Sequence, residues 1–239
     1  MSKRREQAEQ QRAVERKQTL IILSVIAFLA VVLIGGAVLL NSRQTQSRTF
    51  TIVNEAPPAN ADKNGRGWGP VDAPIKITSF VDSQCPGCGQ YAQHYEPEVV
   101  KAFAGTGKVR YEVRTLAFIG QESVNAAKAS LCAMDQDKFW QMHATIFANQ
   151  VNGENMGDFT VDNLKEMASK LGLDMNTFNT CLSSTQHEDQ IKQDAEEAGK
   201  LGVNQTPTFE VNGKLFVGAR NVEDFRQIFA QVAPDVTVP

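Results

Sequence analysis

The sequence predicts an α/β domain with a helical insert, preceded by a single N-terminal transmembrane helix. Three observations lead there. Strand-like runs stand near both ends of the region after residue 70: Ile75–Val81 and Val109–Val113 first, Thr208–Val211 and Leu215–Val217 last. Between them, residues 121–202 carry helical periodicity throughout. Leu20 to Leu40 is a run of 21 residues without a charge.

The apolar run comes first in chain order. As a helix it would be about 31 Å long, enough to cross a bilayer core. A cleaved signal peptide competes for the same residues, but its apolar region is about 7–15 residues long and ends in a small-x-small site. Asn41-Ser42-Arg43 offers none. Six basic residues (Lys3, Arg4, Arg5, Arg12, Arg16, Lys17) precede the span, and only Arg43 and Arg48 follow it closely. That excess keeps the N-terminus cytoplasmic. The expected plan is a basic tail (1–19), a single-pass membrane helix (20–40), a polar linker (41–69) with one short strand at Thr49–Val53, and an extracytoplasmic domain (70–239). Of the 24 basic and 27 acidic residues, the tail holds six and three, so the outer part is mildly acidic. An acidic balance argues against a nucleic-acid partner.

Within the domain, Ile75–Val81 reads as a buried strand, and a helix should start at Pro86 and run to about Phe103, kinked at Pro97. Val109–Val113 alternates apolar with polar. The insert holds helical segments at 123–134, 138–148, 161–171, 175–182 and 188–201, with Gly172 and Gly202 as stops. Asn212-Gly213 between two apolar runs is a hairpin signal. Asn221 is placed to cap a last helix, Val222–Val232. Phe139, Trp140, Met142, Phe147, Phe225 and Phe229 have the spacing of core residues.

Cys85-Pro86-Gly87-Cys88 carries the chemistry. It directly follows a strand and opens a helix, the context of a thiol–disulfide exchange motif. At a helix N-terminus the Cys85 sulfur meets unpaired N–H groups and the positive end of the dipole, which favour thiolate. Pro86 suits the first helical position, and Gly87 leaves the sulfur open to a protein substrate. Cys88, one turn in, would resolve the mixed disulfide. The competing readings are a structural disulfide or half of a zinc site. Zinc lacks support, because no second CxxC or closely spaced His pair is present. No metal and no organic cofactor is expected. Pro207 follows Thr206 just before a strand. An ordinary X-Pro bond is trans; after an upstream CxxC, a cis bond is expected, exposing the Thr206 backbone beside Cys85 to an extended substrate. The three histidines show no evident partners, and none is assigned a catalytic role.

Several segments recur in one order: Asp72-Ala73-Pro74, Phe80 to Cys88, Lys138 to His143, Leu201-Gly202-Val203, Thr206 to Phe209, Val211-Asn212-Gly213 and Gly218-Ala219. From about Trp68 to Val232 the chain resembles a membrane-anchored form of the DsbA-like branch of the thioredoxin superfamily. The resemblance implies a thioredoxin core interrupted by a helical insert. It implies Cys85 as nucleophile, Cys88 as resolver and Pro207 in cis. The implied activity is thiol–disulfide exchange on exported proteins, with a membrane quinone-linked reoxidase of the DsbB or vitamin-K-epoxide-reductase-like (VKOR-like) type as partner. The chain departs from relatives at Ser79, where a buried acid is common, at Gly87, where the best-known oxidant has histidine, and at Gln205, where glycine is common. Asp82 matches an acid that many membrane-anchored relatives carry.

Cys132 and Cys181 both fall in the insert. Unpaired, they would pack as small hydrophobes; in an oxidising compartment they are expected to bond to each other, as in some relatives. The functional expectation is a dithiol oxidase. A reductase or isomerase on the same scaffold is the close rival, and a non-catalytic tethered binding module the distant one.

Overall fold

The structure, a computed structural model, describes residues 28–29, 48–218 and 220–239. The expected membrane span, 20–40, lies outside the described residues except for Phe28 and Leu29, which are helical and exposed. Among the described residues no helix is long and apolar enough to cross a membrane.

From Phe50 to Pro239 the chain forms one compact unit. Its elements are β1 (Gly67–Trp68), β2 (Ile75–Val81), α1 (Pro86–His94), α2 (Glu96–Phe103), β3 (Val109–Thr115), α3 (Gln121–Met134), α4 (Phe139–Ala148), α5 (Val161–Lys170), α6 (Met175–Ser183), α7 (Glu188–Leu201), β4 (Thr208–Val211), β5 (Lys214–Val217) and α8 (Val222–Val232). The five strands form one sheet in the order β1-β3-β2-β4-β5. β2 and β3 run parallel from Ile75↔Val109 to Val81↔Thr115, joined by the α1–α2 crossover. β4 lies antiparallel to β2, with Phe80 opposite Thr208. This register brings the C-terminal end of β2, where the CxxC begins, beside the N-terminal end of β4, where Thr206-Pro207 sits.

Two large apolar clusters, and a small third one of Phe80, Leu116 and Ala198, fill the interior. One lies on the sheet and packs Ile75, Ile77, Val109, Tyr111, Phe209 and Phe225 with Cys88 and Tyr91. The other is internal to the helical insert, with Ala126, Cys132, Met142, Leu164, Met167, Phe178 and Cys181. The positions expected in the core, Phe139, Trp140, Met142, Phe147, Phe225 and Phe229, are all buried. The hairpin turn forms at Asn212-Gly213, both at positive φ (46° and 86°) as a tight primed turn requires. Asn221 caps α8 in a reciprocal capping box with Asp224.

Three local expectations are corrected. The helix after the CxxC is not one kinked rod: it breaks at Tyr95, and Pro97 falls in the first turn of α2. Proline disfavours helical geometry in the residue before it and lacks an N–H, so a fresh start fits it better than a kink. No strand forms at 49–53. Phe50 is instead buried against the insert, and the backbone N–H groups of Thr51 and Val53 donate to Asn149 Oδ1 (3.0 Å) and Thr145 Oγ1 (3.1 Å). The second half of the polar stretch 41–69 therefore straps the domain rather than spacing it. Two histidines also have carboxylate partners: His143 Nε2 lies 2.9 Å from Glu96 Oε2 and His187 Nε2 lies 2.8 Å from Asp135 Oδ2.

A buried ion pair unforeseen in the sequence fixes α7. Arg66 grips Asp194 through both guanidinium nitrogens, one contact at 2.8 Å. Arg66 is 6% and Asp194 1% exposed. A pair this enclosed holds only when both partners are present, so α7 is locked to the segment leading into β1.

Candidate active site

Cys85 is the N-cap of α1. Its backbone is extended (φ −69°, ψ 121°), Pro86 occupies the first turn, and no side chain caps the helix. The free N–H groups of that turn are left for the sulfur. Cys85 is partly exposed and Cys88 fully buried, and both are free thiols.

The two sulfurs are driven apart in acidity. The Cys85 thiol is pulled down from the ordinary range to about 6. The Cys88 thiol donating to it is the largest cause; the Thr206 side chain and the N–H groups of Cys88 and Gly87 add to it, against the opposing effect of burial. Cys88 is pushed far up, first by burial, then by its hydrogen bond to Cys85 and the charge there. One thiolate is thus stabilised and one thiol kept protonated in a single contact. The protonated Cys85 thiol also has the Thr206 carbonyl as an acceptor, Sγ–O 3.2 Å.

The Thr206–Pro207 peptide bond is cis. Pro207 Cδ would stand 3.2 Å from a Cβ at Gly87, so glycine there leaves the two loops room to meet. The Thr206 hydroxyl is buried without a conventional hydrogen-bond partner. Of the residues predicted for the site, the fold brings Cys85, Gly87, Cys88, Thr206 and Pro207 to one place; Pro86 lies exposed beside them. Cys132 and Cys181 sit elsewhere, bonded to each other within the insert with Cα atoms 5.8 Å apart.

A buried polar frame holds the cysteine loop. Asp82 is fully buried. Its Oδ1 accepts from Gln84 N (2.8 Å) and Ser123 Oγ (2.6 Å). Its Oδ2 accepts from Phe118 N (3.0 Å) and Ile119 N (3.3 Å). One carboxylate therefore ties the cysteine loop, the β3–α3 loop and the start of α3. Its carbonyl also receives Cys85 N at 3.0 Å. Gln150, after α4, donates its Nε2 to the carbonyls of Ser83 and Cys85, both at 2.9 Å. A Cβ at Gly89 would fall 1.9 Å from Gln150 Oε1, so the close seating of this amide on α1 needs a glycine. Sequence reasoning missed Gln84, Ser123 and Gln150, which no spacing rule connects to the CxxC. At Ser79, on β2, the hydroxyl is buried and has no conventional partner.

The only cluster of metal-ligand type among the described residues is Cys132, Cys181 and His187. Its two sulfurs are bonded to each other, which removes them as thiolate ligands.

Comparison with known proteins gives the same reading. Residues 62–230 match the family described as Thioredoxin. The chain is 29% identical over 168 residues to Disulfide bond formation protein D of Bacillus subtilis, covering 66% of this chain and 70% of that protein. It is 32% identical over 174 residues to the Na(+)/H(+) antiporter NhaA 3 of Salinispora tropica, covering 72% of this chain but 25% of that protein. This chain thus spans a quarter of the length of that relative. The oxidised crystal structure of BdbD from Bacillus subtilis superposes with a TM-score of 0.64 at 25% identity, over 74% of this chain and 98% of that one. The chain belongs to the thioredoxin family and resembles its DsbA-like branch.

Proposed function

We propose that the chain is a membrane-tethered dithiol oxidase that introduces disulfides into exported proteins. In the oxidised enzyme, a substrate thiolate attacks Cys85 Sγ. The Cys85–Cys88 bond breaks, and Cys88 leaves and takes up a proton. A second substrate thiolate then attacks the substrate sulfur of the mixed disulfide and expels Cys85 as thiolate. Two substrate thiols become one disulfide, two electrons pass to the enzyme, one proton stays on Cys88 and one goes to water. Cys85 is the favourable leaving group because its thiolate is stabilised.

The observation that carries this direction is the stabilised Cys85 thiolate, held at about 6 at an open helix N-terminus. Stabilising the reduced enzyme makes its disulfide a stronger oxidant. Reoxidation would come from a membrane quinone-linked partner of the DsbB or VKOR-like type. The apolar run Leu20–Leu40 and its basic flank support a single span with the catalytic domain outside the cytoplasm.

The test is the equilibrium potential of the Cys85–Cys88 couple in glutathione buffers. A value towards about −120 mV fits an oxidase. A value towards about −270 mV would place the chain with reductases or isomerases instead.

A further inference from the structure

The helical insert holds a second constellation of chemistry-bearing groups. Cys132 on α3 and Cys181 on α6 form the disulfide, with Cα atoms 5.8 Å apart. His187, the N-cap of α7, brings a ring nitrogen to them: that nitrogen and both sulfurs lie within 4.8 Å of one another. All three residues are buried. Asp135, the C-cap of α3, adds a carboxylate at the same place. Its Oδ2 is 2.8 Å from His187 Nε2 and 3.8 Å from Cys181 Sγ. Gln186 Nε2 donates to that same oxygen at 2.9 Å and steadies it. Groups from α3, α6 and the start of α7 thus converge on one spot.

Two thiolates, an imidazole and a carboxylate make a tetrahedral zinc donor set. With zinc–sulfur bonds of about 2.3 Å and zinc–nitrogen or zinc–oxygen bonds of about 2.0 Å, the donor atoms stand about 3.3–3.8 Å apart. The contacts here, from 2.8 Å up to 4.8 Å, bracket that spacing. What keeps a metal out is the disulfide, because two bonded sulfurs offer no thiolate. Both cysteines sit in the apolar cluster of the insert, where a freed thiolate needs a positive partner. The Asp135 side chain is 30% exposed and gives an ion a way in from solvent.

We propose that reduction of the Cys132–Cys181 bond creates a zinc site with Cys132, Cys181, His187 and Asp135 as its ligands. A dithiol reductant supplies two electrons and two protons. The S–S bond breaks, two thiols form, and the dithiol leaves as its own disulfide. Zinc then binds, and the two thiol protons go to water. In the reverse direction a disulfide donor takes two electrons from the two thiolates and two protons from water. The S–S bond forms again and zinc is released. One cross-link between α3 and α6 replaces another, so the core of the insert stays closed in either redox state. Four protein ligands leave no open position, which makes the site structural. It is independent of the direction of exchange at Cys85 and Cys88.

The test is a cobalt(II) titration of the detergent-solubilised full chain carrying Cys85→Ser and Cys88→Ser, which removes the other two thiols. Cobalt(II) reports on zinc sites through its sulfur-to-metal charge-transfer band and the visible bands of tetrahedral coordination. The chain is either reduced with a phosphine or left oxidised. The reduced chain is expected to take up one cobalt ion with both signatures and to give it up to zinc, whereas the oxidised chain should show neither. His187→Ala and Asp135→Ala should each weaken cobalt binding about tenfold or more. His94→Ala, at the end of α1, should change nothing. Should His187→Ala disturb folding, X-ray absorption at the zinc edge of the unsubstituted reduced chain is the second measurement. It should show two sulfur neighbours at about 2.3 Å and two lighter ones at about 2.0 Å. A reduced chain without the cobalt–sulfur band, a band undiminished in His187→Ala, or a zinc shell lacking two sulfurs overturns the site.

Discussion

Cys85 and Cys88 are three residues apart and are held in opposite protonation states. Iodoacetamide alkylation of the reduced chain should show a single midpoint near 6 for Cys85, with Cys88 unreactive across the same range. Cys88→Ala removes the largest influence holding that midpoint down. Its midpoint should move up towards that of an ordinary thiol, and mixed disulfides through Cys85 should accumulate because the resolving thiol is gone. A midpoint unchanged in Cys88→Ala would show that the helix N-terminus alone sets the acidity. This part of the site was legible in the sequence because it is local: strand, cysteine, proline and helix start lie within a dozen residues. The rest was not. Gln150 bonds the carbonyl of Cys85 across 65 residues, and Ser123 reaches Asp82 across 41. A glutamine after one helix and a serine in the first turn of another carry no signal of their own. Only the folded chain shows that both hold the cysteine loop.

Elements are fastened to one another by a few buried links, and two of these can be cut cleanly. Asp82 accepts four hydrogen bonds from three segments. Asp82→Asn keeps the shape, loses the charge and turns one acceptor into a donor facing N–H groups. Hydrogen bonds to a charged group contribute about 1.5–3 kcal/mol each, so a loss of about 3 kcal/mol in urea unfolding is expected. Cys85 alkylation should also become less selective as the loop loosens. The Cys132–Cys181 bond joins α3 to α6 across 49 residues, enclosing α4 and α5. Replacing both cysteines by alanine should destabilise the chain by about 4 kcal/mol in the chain-entropy account. Cys85 should still titrate as before, since the second core is separate from the cluster that holds Cys88. Helix positions were readable from periodicity to within a residue or two. The break at Tyr95 was missed because a proline in a helical pattern signals either a kink or a fresh start, and the choice depends on how the two halves pack on the sheet. The strap at 50–58 was missed for a related reason. Its hydrogen bonds go to side chains of α4 and of Asn149 just after it, and such pairing leaves no alternating pattern.

At the scale of the whole molecule, the order of elements was readable but the sheet order was not. Placing β2 between β3 and β4 joins residues more than 120 positions apart, and that placement carries Thr206 to Cys85. The same placement makes the stability of the fold sensitive to its redox state and to pH. In the folded dithiol form Cys85 ionises below the ordinary thiol range, at about 6. Its contribution is therefore fully present above the unfolded thiol pKa and is lost as pH falls through about 6. Cys88, raised by burial, acts with the opposite sign, but only above the ordinary thiol range, where an unfolded chain would release its proton. The disulfide form carries neither term. Urea unfolding of both forms at pH 5 and pH 8 should show the dithiol form gaining on the disulfide form at the higher pH. Cys85→Ser, which cannot ionise in this range, should lose that gain. A difference between the two forms that stays the same at both pH values would mean that the fold does not favour the thiolate over the thiol. The oxidised enzyme would then have no thermodynamic reason to pass its disulfide on.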